Sequence, residues 1–342
     1  MHIRTATSLA ALLLGATLTM PAMAMGTIIS NPGPAGGSAG AATPVTLPDS
    51  LAGAPLLAVD GATATRAMPD LDAAVGSMGT LTRNPDGSVT QMPASAAMRG
   101  LVEASVAGSN TGQSAGTVVG ADGRTQITDG KSFPAAVVGW LWTEDQKGVW
   151  TSCTATLIGP QTILTAAHCV YKHEAGGFVG QGQFYPGVTD GVNAPFGRFE
   201  ITYINVLSGY VDGFDGKNYG TSMPWDLAEV ELAADAGNQI GWLGWGPDKS
   251  LAFDATMIGY PADKPKGTLW QDKCHVDDAN FGDTVFWHDC DSAQGASGAA
   301  LFTLDASGNT VIHGINVAED DTRNYAVRLS GPIAQFLSEH YK

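Results

Sequence analysis

The chain has 342 residues, with 33 Asp and Glu against 17 Lys and Arg, a formal net charge of −16, 44 Gly and 18 Pro. An acidic surplus of this size argues against nucleic acid as a partner, because a duplex binder needs a basic face to displace counterions. With 44% hydrophobic residues and no collagen, heptad or solenoid period, the chain can bury the core of one large or two modest globular domains.

Residues 1–24 read as an export signal: His2 and Arg4 supply positive charge, residues 9–18 are apolar, and Ala22-Met23-Ala24 gives a small-x-small cleavage pattern. The bland alternative is a buried N-terminal helix. The apolar run is shorter than the ~20 residues needed to cross a bilayer, and no later run reaches that length. No Cys follows the cut to carry a lipid. A secreted product, extracellular or periplasmic and without a membrane anchor, is therefore expected. Residues 25–117 lack Cys and Trp, carry Asn31-Pro32-Gly33-Pro34-Ala35-Gly36-Gly37, and are dominated by Ala, Gly, Ser, Thr and Pro. Such a composition buries little apolar surface against chain entropy, so a mostly flexible pro-segment is expected. All eight Trp and all four Cys lie beyond it, which places the packed domain at 118–342.

Within 118–342, short apolar stretches alternate with Gly, Pro, Asn and Asp. Strands are predicted at 135–142, 150–158, 200–206, 227–232, 255–260, 285–290, 299–304, 311–317 and 325–329. Many short strands with frequent turns predict an all-β barrel or sandwich. A single helix is predicted at the end, with Ser330 as cap, Pro332 in the first turn, and Ile333, Phe336 and Leu337 at helical spacing.

Cys153 and Cys169 stand as far apart as Cys274 and Cys290. In an exported chain an even count implies two disulfides, and pairing of sequence neighbours is the simplest of the three connectivities. Each loop would be worth about 3 kcal/mol in the chain-entropy model. The rival reading, a metal site from Cys274, His275, His288 and Cys290, departs from the spacing of structural zinc sites.

Three blocks carry the chemistry. The first is Thr165-Ala166-Ala167-His168-Cys169, after the apolar Ile163-Leu164. The second is Trp225-Asp226-Leu227-Ala228, where Asp226 opens an apolar-alternating strand. The third is Asp291-Ser292-Ala293-Gln294-Gly295-Ala296-Ser297-Gly298, whose glycines let the backbone turn sharply and converge successive N–H groups. Singly, each has an ordinary explanation: a core histidine, a turn aspartate, a serine in a loose loop. Together they supply what acyl transfer by serine requires, namely a nucleophile in Ser297, a base in His168, an acid in Asp226 to fix its tautomer, and the Gly295 and Ser297 amides for the oxyanion. The order His, Asp, Ser differs from the Ser, acid, His order of α/β-hydrolases.

These blocks resemble the three catalytic blocks of chymotrypsin-fold serine proteases, and Val118-Val119-Gly120-Ala121-Asp122-Gly123-Arg124-Thr125-Gln126-Ile127-Thr128 resembles the mature N-terminus of the bacterial glutamyl endopeptidase (V8-like) group. The resemblance implies a double six-stranded β-barrel with His168 as general base, Asp226 as its orienter and Ser297 as nucleophile. It further implies a zymogen cut near Thr117-Val118 and protein or peptide substrates. It departs in three places. Asn316 stands where the glutamyl group has a His that helps receive the substrate carboxylate, and Glu319, Asp320 and Asp321 nearby would repel one. Asp291 stands where trypsin-like enzymes carry the base of their specificity pocket, followed by Ser292, and would favour Lys or Arg unless it serves a turn. Ala296 replaces the Asp that trypsin-type zymogens pair with the new N-terminal amine. The primary preference is thus open between a basic residue, an acidic residue and neither. The mechanism requires no metal or organic cofactor, and a monomer is expected. The alternatives are a protease-fold binding protein without turnover and an esterase using Ser297 with His313 or His340. Too little chain follows Ser297 to complete the sheet and helices of that esterase fold.

Overall fold

The computed structural model describes residues 45–47, 71–106, 121–216, 219–250, 252–278, 284–320 and 323–341. The leader at 1–24 and the Thr117-Val118 junction lie outside them. The N-terminal part forms β1 (Val45–Thr46), α1 (Leu71–Ser77), β2 (Thr80–Arg83), β3 (Val89–Met92), α2 (Ala96–Val106) and β4 (Thr125–Ile127). Then follow β5 (Val138–Glu144), β6 (Trp150–Leu157), β7 (Thr162–Thr165), the short β8 (Tyr171–Lys172) and β9 (Gly177–Phe178), β10 (Gln181–Pro186), β11 (Asn193–Ala194), β12 (Phe199–Leu207), α3 (Ser208–Asp212), β13 (Ala228–Leu232) and α4 (Gly237–Ile240). The C-terminal part comprises β14 (Phe253–Gly259), β15 (Leu269–Val276), β16 (Val285–His288), β17 (Ala300–Leu304), β18 (Thr310–Asp320), β19 (Arg323–Arg328) and α5 (Gly331–His340).

The first barrel runs β10-β5-β6-β7-β13-β12 and closes where β12 returns to β10, with Gln183 opposite Glu200 and Phe184 opposite Phe199. Closure removes the exposed edges an open sheet would carry. Its interior holds Leu141, Ala155, Ile163, Phe184, Ile204 and Val230, which the registers put on one face and which are all at zero exposure. The second array runs β16-β19-β18-β17-β14-β15, with β4 added beside β15. Its two ends are tied by the Cys274–Cys290 disulfide, since Cys274 lies in β15 and Cys290 just beyond β16. Phe253, Met257, Val276, Phe286 and Leu301 fill its core.

Both sequence-neighbour disulfides form. The rival metal reading fails on the same fact, because no thiol is left at Cys274 or Cys290, and His275 turns outward to Asp254 at 2.7 Å. The C-terminal helix starts after Ser330 as predicted, but the Ser330 side chain makes no capping bond. Its carbonyl instead accepts the Ala334 amide at 2.8 Å.

The stretch expected to be flexible contains ordered structure at 71–106. β2 and β3 form a hairpin, β2 pairs with β12 from Thr80 to Arg83, and α2 packs against α5. Met78 and Met98 are each 1% exposed. With few large apolar side chains, residues 25–117 cannot build a core of their own. This piece instead buries its few large side chains against a surface supplied by the barrel.

Candidate active site

β7 and β13 are antiparallel neighbours, with Ala228 opposite Thr165. The exit of β7, which leads to His168, and the entry of β13, which follows Asp226, therefore lie at the same end of the barrel. His168 sits in a single 3-10 turn, Ala167–Cys169, whose last residue is cross-linked to Cys153 on β6 and whose Cys169 carbonyl accepts the Thr143 hydroxyl at 2.8 Å. Asp226 is fully buried at the end of the 3-10 turn Met223–Trp225. Its two oxygens take both donors of one residue: Oδ1 accepts the His168 backbone N–H at 2.8 Å and Oδ2 accepts Nδ1–H at 2.7 Å. A carboxylate held this way fixes the imidazole in the tautomer whose Nε2 lone pair is available. That Nε2 is buried and makes no hydrogen bond. Tyr219 also places its hydroxyl 3.2 Å from Nδ1, a contact the sequence reading missed.

Ser297 arrives from the second barrel on the loop between β16 and β17. The loop is pressed onto the first barrel through Thr154 on β6. The Thr154 N–H donates to the Ser297 carbonyl at 2.8 Å, its hydroxyl donates to the Gly295 carbonyl at 2.9 Å and accepts the Tyr260 N–H at 3.0 Å, and its carbonyl accepts the Thr165 hydroxyl at 2.8 Å. Gly298 has φ +87°, and a Cβ there would lie 2.1 Å from the Thr154 carbonyl oxygen and 2.2 Å from Thr165 Oγ1. Only glycine permits this approach. The Ser297 carbonyl in turn lies 3.9 Å from Cys169 Sγ, beside the His168 turn. Ser297 is half-buried, and its hydroxyl makes no hydrogen bond to His168 Nε2.

The amides of this loop divide in an informative way. Ala296 N–H goes to the Ala293 carbonyl at 3.0 Å and Gly298 N–H to the Asn316 carbonyl at 2.7 Å. Gly295 (φ +88°) and Ser297 have no acceptor for theirs among the described residues. Two unengaged amides flanking an engaged one form the type of donor pair that accepts an oxyanion.

The expected pocket residues are brought together in part. Asn316 is 4% exposed and donates through Nδ2 to Ser292 Oγ at 3.1 Å and to the Ala296 carbonyl at 3.3 Å. Its Oδ1 faces His288 Nε2 at 3.1 Å, so the imidazole donates there. His288 is fully buried, and burial pushes its pKa down to about 4, leaving it neutral. The sequence signalled this role only through the alternation of β16, which turns Phe286 and His288 inward. Asp291 is 5% exposed, and its Oδ2 accepts the Gly123 N–H at 2.6 Å. One of its oxygens thus anchors the segment leading into β4. Glu319 lies half-buried further along β18, opposite Asn324. Asp321 lies outside the described residues.

Residues 153–311 match the family model of the trypsin-like peptidase domain. A glutamyl endopeptidase of Bacillus licheniformis is 30% identical over 194 residues, 56% of this chain and 56% of that protein. A protein of Bacillus subtilis named extracellular metalloprotease is 30% identical over 160 residues, 46% of this chain and 48% of that protein. The chain spans about half the length of these curated relatives. Among solved structures, that of a Glu endopeptidase in complex with MPD superimposes with a TM-score of 0.57 at 26% identity, covering 66% of this chain and 99% of that one. Cys153-His168-Cys169 and Cys274-His288-Cys290 bring potential ligand atoms close together, but all four sulfurs are in disulfides.

Proposed function

We propose that this chain, which has the chymotrypsin fold and carries a trypsin-like peptidase domain similar to that of glutamyl endopeptidases, is a serine endopeptidase exported as a precursor. The observation that carries the reading is the pair of hydrogen bonds by which Asp226 holds His168, with Ser297 and two unengaged amides set beside the same turn. In the proposed reaction Ser297 Oγ attacks the peptide carbonyl while its proton passes to His168 Nε2. Asp226 stabilises the imidazolium, and the Gly295 and Ser297 amides hold the oxyanion. His168 returns the proton to the departing amine, and water repeats the sequence on the acyl-enzyme. The leader sequence and two disulfides support export, and among the described residues no helix is long and apolar enough to cross a membrane.

For primary preference, Asn316 in place of His speaks against a glutamate carboxylate, and the engagement of Asp291 with Gly123 weakens the case for Lys or Arg. Cleavage profiling of a peptide library with wild type and Asp291→Asn decides this: loss of cleavage after Lys and Arg in the variant would show that Asp291 forms the pocket base. Ser297→Ala is expected to lower peptide hydrolysis by at least about 100-fold, and a fluorophosphonate is expected to label the wild type at Ser297. The absent Oγ to Nε2 bond favours one second reading, a binding protein that keeps the fold without turnover. Failure of the processed protein to label would select it.

A further inference from the structure

We infer that residues 71–106 stay docked on the first barrel as a working part of the enzyme, and are not lost when the chain is cut between α2 and β4. The inference rests on the reading of the chain as a precursor; the docking surface itself rests on pairing within the barrel. β12 has two partners on one side. Its beginning pairs with β10 at Phe199 and Glu200, which closes the barrel, and its end pairs with β2, from Ile204 opposite Arg83 to Leu207 opposite Thr80. Ile204, Val206 and Leu207 have no exposed surface, and Asn205 is 5% exposed. Removing β2 would open the backbone N–H and C=O groups of this buried strand end, and unpaired buried backbone is strongly disfavoured.

Polar contacts join the same two strands. Thr82 Oγ1 donates to Asn205 Oδ1 at 2.6 Å, Asn205 Nδ2 donates on to buried Glu229, and the Arg83 guanidinium donates to the carbonyls of Thr202, at 3.3 Å, and Gly180. Beyond β2, the apolar faces of α1 and α2 bury Val75, Met78, Met98 and Val102, and Ser95 Oγ donates to Glu339 of α5 at 2.5 Å. The segment also touches the path to the active site. The Gly79 carbonyl accepts the Ser208 N–H at 2.7 Å, and a Cβ at Gly209 would meet Trp225 and Ser77 within 2.7 Å. Residues 71–79 therefore brace the connection from β12 through α3 to Trp225-Asp226. The solved Glu endopeptidase covers 66% of this chain while being 99% covered itself, so this chain brings substantial material that relative lacks.

The test replaces part of 107–117 with a recognition sequence for a highly specific protease, cuts the folded full-length protein, and follows both pieces by gel filtration and intact mass while measuring peptide hydrolysis. The N-terminal piece is expected to co-elute with the remainder at ~1 µM, with hydrolysis unchanged. Thr82→Val removes one hydroxyl bond and is expected to speed release of the cut piece by about tenfold. Met78→Glu with Met98→Glu should abolish retention altogether. Separation of the pieces with continued hydrolysis overturns the inference and leaves the protease reading standing; retention without hydrolysis does the reverse. Retention that neither set of substitutions weakens also overturns it, by placing the attachment elsewhere.

Discussion

His288 is uncharged at neutral pH because no counter-charge meets it inside the second array; burial alone lowers its affinity for protons, and the hydrogen bond to Asn316 offsets this in part. In the unfolded chain the ring protonates near 6.5, in the folded protein only near 4. Between those values the unfolded state binds more protons, so the contribution of His288 to stability is complete above pH 6.5 and is lost as the pH falls towards 4. The expected loss at pH 4 is about 3 kcal/mol. Thermal melts at pH 7, 5 and 4 check this: His288→Gln, which keeps a donor for Asn316, should show a flatter decline than wild type. Gly298 gives a second test at this scale. Gly298→Ala forces a side chain onto the Thr154 carbonyl at a left-handed backbone position and should cost more than about 2 kcal/mol. Ser297 would be displaced with it, so hydrolysis should fall further than stability does. The proposed triad of His168, Asp226 and Ser297 was open to sequence reading because each residue sits in a short local pattern. Tyr219, His288 and the Gly123 contact to Asp291 were not, because each depends on a partner brought by folding from a distant strand.

Among the elements, the strands read from apolar content are those that run through a core, such as β6 and β13, buried on both faces, and β12, whose second half is buried throughout. Of the paired strands that escaped that reading, β15, β10 and β7 did so for distinct reasons. β15 is mostly polar, with Gln271, Asp272 and Lys273 at partly exposed positions. β10 contains Gly182 and ends in Pro186, residues that ordinarily signal turns. β7 has only four residues, too few to show a period. The predicted strand from 135 begins at Val138 instead, because a 3-10 turn over Ala135–Val137 follows Pro134. The Cys274–Cys290 bond has a testable weight of its own, since it ties the two ends of the second array. Replacing both cysteines by serine should lower stability by about 3 kcal/mol, read as a lower urea midpoint, with the His168–Asp226 pair of the first barrel unaffected.

Two buried bases, Lys172 and His288, link stability to pH in the same direction. Lys172 is 6% exposed with its ammonium on the Thr151 hydroxyl at 3.1 Å, and burial pulls its pKa from 10.5 down to about 7 despite the acidic charges of Asp145, Glu174 and Asp226 around it. Below pH 7 folding must bury the charge; between 7 and 10.5 the unfolded chain keeps a proton that the folded one has shed, so stability rises with pH through that window. Lys172→Met should therefore raise the melting temperature most at pH 6, and the gain should shrink by pH 9. Lys172 and His288 thus both favour the folded state more as pH rises through their windows. The ordered 71–106 segment is the large feature that composition hid, because its order is borrowed from a partner surface and not from its own apolar content.

Thr154 binds the serine loop, Tyr260 and Thr165 with one backbone and one side chain. The proposed nucleophile and base are thus fastened across the seam by a shared rivet, so the two halves cannot swing apart while Ser297 and His168 keep their places. Motion that admits a polypeptide must come from the surface loops, and any perturbation that loosens the seam should silence turnover before either half melts.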